Sequence, residues 1–501
     1  MSGDLWVIAP LACLALGAFG VYLVARLITY RNDVLASLTT LCFAAALGSL
    51  WPVFRRVCLD WGAHGAAGFA SLPIWTRSAT SSAFFRAEPG ALAIAGIALG
   101  LAALVALYSG RYLALDQRYE TYYPLLLLLV TGLVGMVLAT DLFNLYLFCE
   151  LMGITSYVLV AFRRRTDTAI EAGFKYLVMG SVGTVMFLMG VSFVFRGTGS
   201  LDVWQPEAGA PGTWTRLGIA FFLVGLGLKS AIVPLHTWLP DAHGRAPSSI
   251  SAMLSGIVIQ SAFYVLVKTV LGVGFSAQSL GTLLVVLSLV SMTVGNAMAL
   301  VQTMGKRLLA YSSIANMGYV MFAIGVGLRV DQPVAIQMGF FLLLAHAVMK
   351  GLAFLCKGAC HFYEDATTIA QLRGTSKRLP LVAVTFTTAL AGLSSIPPLS
   401  GFAAKWFILR AVLDQADALT YLGVAVFLLN SVLALGYYLP LIATLFAPPD
   451  TPPPARVHVS RWMAAPMLLM AGLVLAMGLS PEPWLQWMLG PGVYLLHLGG
   501  G

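Results

Sequence analysis

Charge is scarce in this chain. Asp, Glu, Lys and Arg make up 10% of its 501 residues, against about a quarter in ordinary soluble domains. So thin a supply of charge cannot cover a water-facing surface, which excludes a soluble enzyme or binding module. Paired cysteines are missing as well. Cys13, Cys42, Cys58, Cys149, Cys356 and Cys360 form no CxxC pair, and all but Cys58 lie in apolar runs. Cys356 and Cys360 stand one helical turn apart with no second pair beside them, so packing explains them better than a metal or a disulfide. No dinucleotide fingerprint and no flavin or haem motif occurs. The chain is therefore expected to hold no cofactor and to perform no redox step itself. Its formal charge of +9 does not point to nucleic acid in so apolar a sequence. Lys and Arg gathered in loops on one membrane face explain it. The N-terminus lacks a basic n-region and has Asp4 instead. Its apolar stretch is too long for a signal peptide and is expected to be a retained first span.

What is present is apolar length. Hydrophobic residues make up 59% of the chain, and runs of about 20 recur from end to end. The fold class expected is an all-α polytopic membrane protein. Fourteen spans are expected near 5–30, 34–54, 89–108, 123–140, 142–162, 174–196, 216–240, 248–273, 279–304, 308–329, 335–362, 380–413, 418–446 and 460–480. The short apolar tail 484–498 is expected at the interface, and the longest loops are 55–88 and 197–215. Apart from a TPPP turn after Asp450 there is no low-complexity segment. Odd-numbered loops carry fourteen cations: Arg31, Arg111, Arg118, Arg163, Arg164, Arg165, Arg245, Lys306, Arg307, Arg373, Lys377, Arg378, Arg456 and Arg461. Even-numbered loops carry seven: Arg55, Arg56, Arg77, Arg86, Arg196, Arg216 and Arg329. That bias places the odd loops in the cytoplasm and both termini outside.

Two segments break the helical pattern. One is KSAIVPLHTWLPDAHGRAP, with Lys229, Pro234, Pro240 and Pro247. The other is AGLSSIPPLSGFAAKWFIL, with Pro397, Pro398, Gly392, Gly401 and Lys405. Proline removes a backbone donor and clashes with the preceding turn, so both spans should be discontinuous. They are spans seven and twelve, an offset of five. Two five-helix units so related enter the membrane in opposite directions, and paired broken helices in inverted repeats point to an ion or substrate site. The expected division is 1–122 (first three helices), 123–275 (first repeat), 276–446 (second repeat) and 447–501 (last span and tail).

An ionisable residue inside a span costs about 2.5–3.5 kcal/mol on insertion scales and generally faces the bundle interior with a partner. Glu150, Lys229, Lys350 and Lys405 qualify, and Lys268 is deep enough to be a fifth, although its long stem could snorkel. His346 precedes Lys350 by four residues, on the same helical face. One Glu150–Lys229 pair alone would be explained as well by helix packing. A series over four spans is explained better by proton transfer. Desolvation favours the neutral form of an amine and a nearby carboxylate its charged form, and an unperturbed histidine titrates near neutral pH. In HTWLPDAH, the spacing of His236, Asp241 and His243 matches no metal motif with a stated mechanism. These groups either satisfy backbone freed by the prolines or, for His236, hand protons to Lys229.

At these residues the sequence resembles a family. KSAIVPLHTWLPDAHGRAPSSISAMLSGIVIQSAFYVLVK looks like the signature of the antiporter-like membrane subunits. These are the pumping subunits of respiratory complex I, their relatives in group 4 hydrogenases, and the large subunits of Mrp-type sodium/proton antiporters. LFNLYLFCELMGITSYVL, KRLLAYSSIANMGY, HAVMKGLAFL and SIPPLSGFAAKWFIL agree in the family's order, over roughly residues 108–410. The resemblance implies fourteen helices, two inverted five-helix repeats with a broken helix in each, and termini outside a bacterial or archaeal cytoplasmic membrane. It implies that Glu150 pairs with Lys229, that Lys350 follows its histidine as in many members, and that Lys405 is the terminal charge of the second broken helix. There is one departure: Gln260 stands where most members place a bridging lysine or histidine. Glutamine cannot titrate, though it could hydrogen-bond a water chain, and Lys268 could substitute two turns along.

The resulting expectation is a proton-translocating subunit of a multisubunit energy-converting complex, with Glu150, Lys229, His236, Lys268, His346, Lys350 and Lys405 along the route. Its expected partners are further antiporter-like and small hydrophobic subunits and a peripheral redox module, its cargo protons or sodium ions. SIPPLSGFAAKWF leans toward Mrp-type or complex I N-type members, WLPDAHGRAPSSISAMLSG toward M-type and hydrogenase members. No long lateral helix follows the last span, which argues against the longest complex I pumping subunit. The alternatives are an Mrp-type Na+/H+ antiporter subunit without a redox partner, and a scaffold subunit that no longer conducts.

Overall fold

Apolar runs in a bilayer must satisfy every backbone N–H and C=O internally, which leaves the α-helix as the economical solution for each. The computed structural model describes residues 5–27, 31–55, 57, 85–114, 116, 118–163, 167–203, 211–413, 417–449 and 456–499. Asp4, Arg56, Cys58, Arg77, Arg164, Arg165 and the TPPP turn lie outside the described residues.

The chain begins with α1 (Leu5–Leu27), α2 (Asn32–Phe54) and α3 (Pro89–Tyr112). Then come α4 (Tyr119–Leu138), α5 (Leu142–Val160) and α6 (Asp167–Thr198). The first broken segment is α7 (Thr213–Lys229) and the short α8 (Trp238–Arg245). Next are α9 (Ser248–Gly272), α10 (Ala277–Leu300), α11 (Gly305–Arg329) and α12 (Pro333–Glu364). The second broken segment is α13 (Pro380–Leu393) and α14 (Ser400–Leu413). The chain closes with α15 (Ala418–Phe446), α16 (Arg461–Leu479) and α17 (Glu482–Gly499). Among the described residues, twelve helices are long and apolar enough to cross a membrane. The segments expected at 216–240 and 380–413 are discontinuous, as their prolines imply, each being two shorter helices. Only isolated β-bridges occur among the described residues.

Local chemistry sets the ends. Pro89, Pro333 and Pro380 open α3, α12 and α13, where a missing N–H costs nothing. Asp141 caps α5 by accepting from Phe143 N and Asn144 N, both at 2.9 Å. Asp417 caps α15 by accepting from Thr420 N at 3.0 Å. It also pairs with Arg329, and that hydrogen bond holds the Asp417 carboxyl well below the usual carboxylate range.

The two breaks close in the same way. After α7, Ser230 N bonds Leu226 O (2.9 Å), Ala231 takes φ +53°, and Ile232 N bonds Gly227 O (3.0 Å). After α13, Ser394 N bonds Leu390 O (2.8 Å), Ser395 takes φ +63°, and Ile396 N bonds Ala391 O (3.0 Å). A left-handed residue turns the chain out of the helix and satisfies its last carbonyls. Pro234 and Pro398 then prevent the helix from resuming. Trp238 Nε1 donates to Leu228 O at 2.9 Å, so α8 serves a carbonyl left over by α7.

Burial divides the bundle. In α9 and α11 every residue of the most apolar stretch is buried, whereas in α15 only 33% are. Helices α1, α5, α6, α10, α15 and α16 turn residues such as Leu16, Ile154, Phe174, Val290, Leu429 and Leu468 outward, the surface a bilayer solvates. The tail forms α17, which lies against α12 and α3: Gln337 Nε2 of α12 donates to Leu485 O at 2.7 Å, and Trp487 also meets Phe54, at the end of α2, edge-on at 5.4 Å. Helices α10 and α11 approach closely at Gly281, where an added Cβ would lie 2.5 Å from Gly325 O and 2.6 Å from Arg329 N. Backbone cannot yield there. Gly281→Leu is expected to destabilise the chain by about 1–3 kcal/mol or more, seen as a lower melting temperature in detergent; an unchanged one would refute this packing.

Candidate functional site

The buried charges lie where the two breaks meet the enclosed helices. Lys229 is the last residue of α7 and is 3% exposed. Its Nζ donates to Tyr157 Oη at 2.9 Å and lies 5.4 Å from the centre of that ring. Tyr157 sits edge-on to Tyr176, which stacks on Trp238 at 4.2 Å, so α5, α6 and α8 all brace the lysine. Gly153 leaves the space: a Cβ there would lie 2.8 Å from Lys229 Nζ. Glu150 is half-buried on α5, two turns before Tyr157. Among the described residues no ion pair joins Glu150 to Lys229; the tyrosine hydroxyl is the lysine's immediate partner.

The second cluster joins α9 to α12. Gln260 Nε2 and His346 Nδ1 are 2.7 Å apart, both residues fully buried. With the amide so placed, Nδ1 accepts and the ring proton belongs on Nε2. His346 Nε2 and Gln260 Oε1 are left without partners, the condition under which a buried water is held. One π-helical turn, Leu254–Val258, precedes Gln260. One turn beyond His346, Lys350 donates to Leu309 O at 2.8 Å and to Ser312 Oγ. Among the described residues it has no acidic partner.

Lys405, on α14, forms the third cluster. Its Nζ lies 3.9 Å from the centre of the Tyr319 ring and donates to Ser431 Oγ at 3.3 Å. Behind Tyr319 is an amide network. Asn296 Nδ2 donates to Tyr319 Oη (3.3 Å) and Asn430 Oδ1 (3.0 Å), and Tyr437 donates to Asn296 Oδ1 (2.8 Å).

The fourth cluster holds a residue that sequence reasoning missed. Lys268 Nζ is 3.1 Å from Glu88 Oε2, with both side chains 3% exposed or less. Lys268 also donates to Val137 O and Ala139 O, each at 3.1 Å. Glu88 directly precedes the apolar run of α3 and passes for loop charge in the sequence. Its one signal is the following proline, which marks it as a helix cap.

His236 is half-buried and makes no hydrogen bond to Lys229 among the described residues. His243 is fully buried against Phe354, 4.8 Å between rings, with both nitrogens unpartnered. Asp241 is taken by Arg307 Nη1 at 2.8 Å, away from either histidine. Pro234 and Pro240 flank this turn, and Pro397 and Pro398 occupy the second break. Among the described residues no group of three or more His, Cys, Asp or Glu side chains could hold a metal.

An all-α membrane bundle with two interrupted spans, and lysines buried beside both interruptions, defines an antiporter-like membrane subunit. Residues 139–434 match the family model described as NADH:quinone oxidoreductase/Mrp antiporter, TM. The chain belongs to that family. It is 34% identical over 406 residues to F(420)H(2) dehydrogenase subunit N of Methanosarcina mazei, covering 77% of this chain and 80% of that one. It is 33% identical over 470 residues to NADH-quinone oxidoreductase subunit N of Deinococcus radiodurans, covering 91% and 92%. Among solved structures, a chain of the respiratory complex I of Thermus thermophilus superposes with a TM-score of 0.75 at 26% identity, covering 95% and 98%. A chain of the Mrp complex of Dietzia sp. DQ12-45-1b shares the fold, with a TM-score of 0.86 at 22% identity over 99% of both chains.

Proposed function

We propose that this chain is a proton-translocating subunit of an energy-converting membrane complex, of the kind its subunit N relatives are named for. The observation that carries the reading is the set of buried lysines, each bonded to hydroxyls, carbonyls or a tyrosine face: Lys229 to Tyr157, Lys350 to Ser312 and Leu309, Lys405 to Ser431 and Tyr319. Such sites hold a cation without fixing it in an ion pair, so its proton can leave. Glu150 supplies the nearby negative charge that biases Lys229, and His346 with Gln260 bridges the halves of the route. The proposal includes fourteen crossings, the two broken segments counted as one each, inverted units 123–275 and 276–446, and both termini outside. The redox step belongs to partner subunits, and the cargo is protons.

The test begins with the native complex, purified in mild detergent and reconstituted in liposomes. Iron–sulfur absorption with peripheral subunits would identify a redox drive. Only small hydrophobic partners would point to sodium/proton exchange. Glu150→Gln is expected to reduce driven proton flux roughly tenfold, the effect of losing one nearby opposite charge. Glu120→Gln, in the first turn of α4, should leave flux near wild type. Equal effects in the two variants would refute the role given to Glu150.

A further inference from the structure

Helix α9 carries a polar column on one face. Gln260, Tyr264 and Lys268 follow at i, i+4 and i+8, among Phe263, Leu266 and Val267. Gln260 lies halfway along Ser248–Gly272, so the column runs from mid-membrane toward one face, rising about 12 Å at 1.5 Å per residue. Both ends are engaged. Gln260 meets His346, while Tyr264 Oη donates to Glu88 Oε2 at 3.2 Å, the oxygen that also meets Lys268. Gly90 makes room for the tyrosine, since a Cβ there would lie 2.6 Å from its ring.

The ion pair is built to hold charge. Glu88 precedes the N-terminus of α3, and Lys268 bonds carbonyls at the C-terminal end of α4, the helix ends that suit an anion and a cation. Above it the chain closes over: Phe85 bridges Ala139, Arg86 N bonds Leu138 O at 2.8 Å, and Val203 N bonds Thr140 O at 2.8 Å. These turns belong to the even-numbered loops, on the face poorer in cations.

We infer that Glu88, Lys268 and Tyr264 form a proton-release gate, a half-route from the Gln260–His346 junction to that face. The inference rests on the proton-translocation reading and adds an exit in the N-terminal half of the chain. The step balances. A hydronium ion, formed when the route delivers its proton to water beside Gln260, gives that excess proton to the Tyr264 hydroxyl oxygen and relaxes to neutral water as the Tyr264 O–H gives its own proton to the Glu88 carboxylate. The neutral carboxyl no longer holds the Lys268 ammonium, which stays on Val137 O and Ala139 O. Glu88 then passes the proton to water at the face, and its carboxylate returns to Lys268. One proton enters at Tyr264 and one leaves from Glu88.

A merely structural pair behaves differently, because replacing both members of a buried pair by uncharged side chains is often neutral for stability. The experiment uses the native complex in liposomes, with subunit co-purification and driven proton flux both measured. Tyr264→Phe removes one hydroxyl and leaves the ion pair; it is expected to assemble and lose flux roughly tenfold. The double variant Glu88→Gln with Lys268→Met is expected to assemble and lose at least as much. Wild-type flux in an assembled Tyr264→Phe complex, or in the assembled double variant, overturns the gate. Lys229→Ala runs alongside: if it loses flux while Tyr264→Phe does not, only the gate fails, and if neither does, the translocation reading fails with it.

Discussion

Lys229→Ala is expected to lower driven proton flux through the reconstituted native complex by on the order of a hundredfold, the contribution of a positioned proton-transfer group. Assembly should survive. The lysine ends α7 rather than filling its middle, and the backbone turn at Ala231 that closes the helix does not use its side chain. What the variant loses is the one cation on the Tyr157 hydroxyl, at a helix C-terminus where a cation is favoured. Lys229→Arg tests whether charge alone suffices. A guanidinium stays protonated at any working pH, so arginine restores the charge and the tyrosine contact but not proton exchange, and flux should remain low. If arginine restores flux, Lys229 acts as a fixed charge. If alanine leaves flux at wild type in an assembled complex, the chain is a scaffold. Acidification of the liposome lumen, followed by a pH-sensitive dye, reads every case.

Much of this arrangement was legible in the sequence, for identifiable reasons. Apolar runs announce helices because a bilayer permits little else. The interruptions were marked by Pro234 and Pro398, and the structure places a left-handed residue just ahead of each. Lys229, Lys350 and Lys405 stand out because charge in an apolar run is costly, and a series of them over several spans is not explained by one packing pair. Partners were harder to read. Tyr157 and Tyr319 hold two of the lysines by hydroxyl or ring face, yet an aromatic residue in a membrane helix looks like ordinary core. Glu88 meets Lys268 although the two stand 180 positions apart in the chain, and only the folded bundle brings them together. The same holds for Asn296, Asn430 and Tyr437, three residues from two helices that form one network. Composition marks where charge is costly, and packing alone reveals what offsets the cost.

Gln260→Leu decides whether the departure at that position is a loss or a substitution. A non-titrating bridge can still conduct if it organises hydrogen bonds, and Gln260 is placed to do so: its amide nitrogen holds His346 Nδ1 at 2.7 Å while its oxygen is left open. Leucine keeps the volume and removes both functions. It strands the His346 nitrogen in a fully buried site, at about 1–3 kcal/mol for an unpaired polar group, and takes away the acceptor that would orient a water toward Tyr264. The expected result is a loss of flux of about tenfold or more, with assembly retained because Ile259 and Phe263, beside it on α9, are apolar and buried. Gln260→His supplies the control. An imidazole there can both accept and donate, so flux at or above wild type is expected. Were Gln260→Leu to conduct as well as wild type while Lys229→Ala did not, protons would cross between the halves of the chain without passing His346, and the route through α9 would be wrong. A loss in Gln260→Leu with recovery in Gln260→His would instead identify glutamine as a working bridge, one that relays protons through bound water rather than by carrying charge itself.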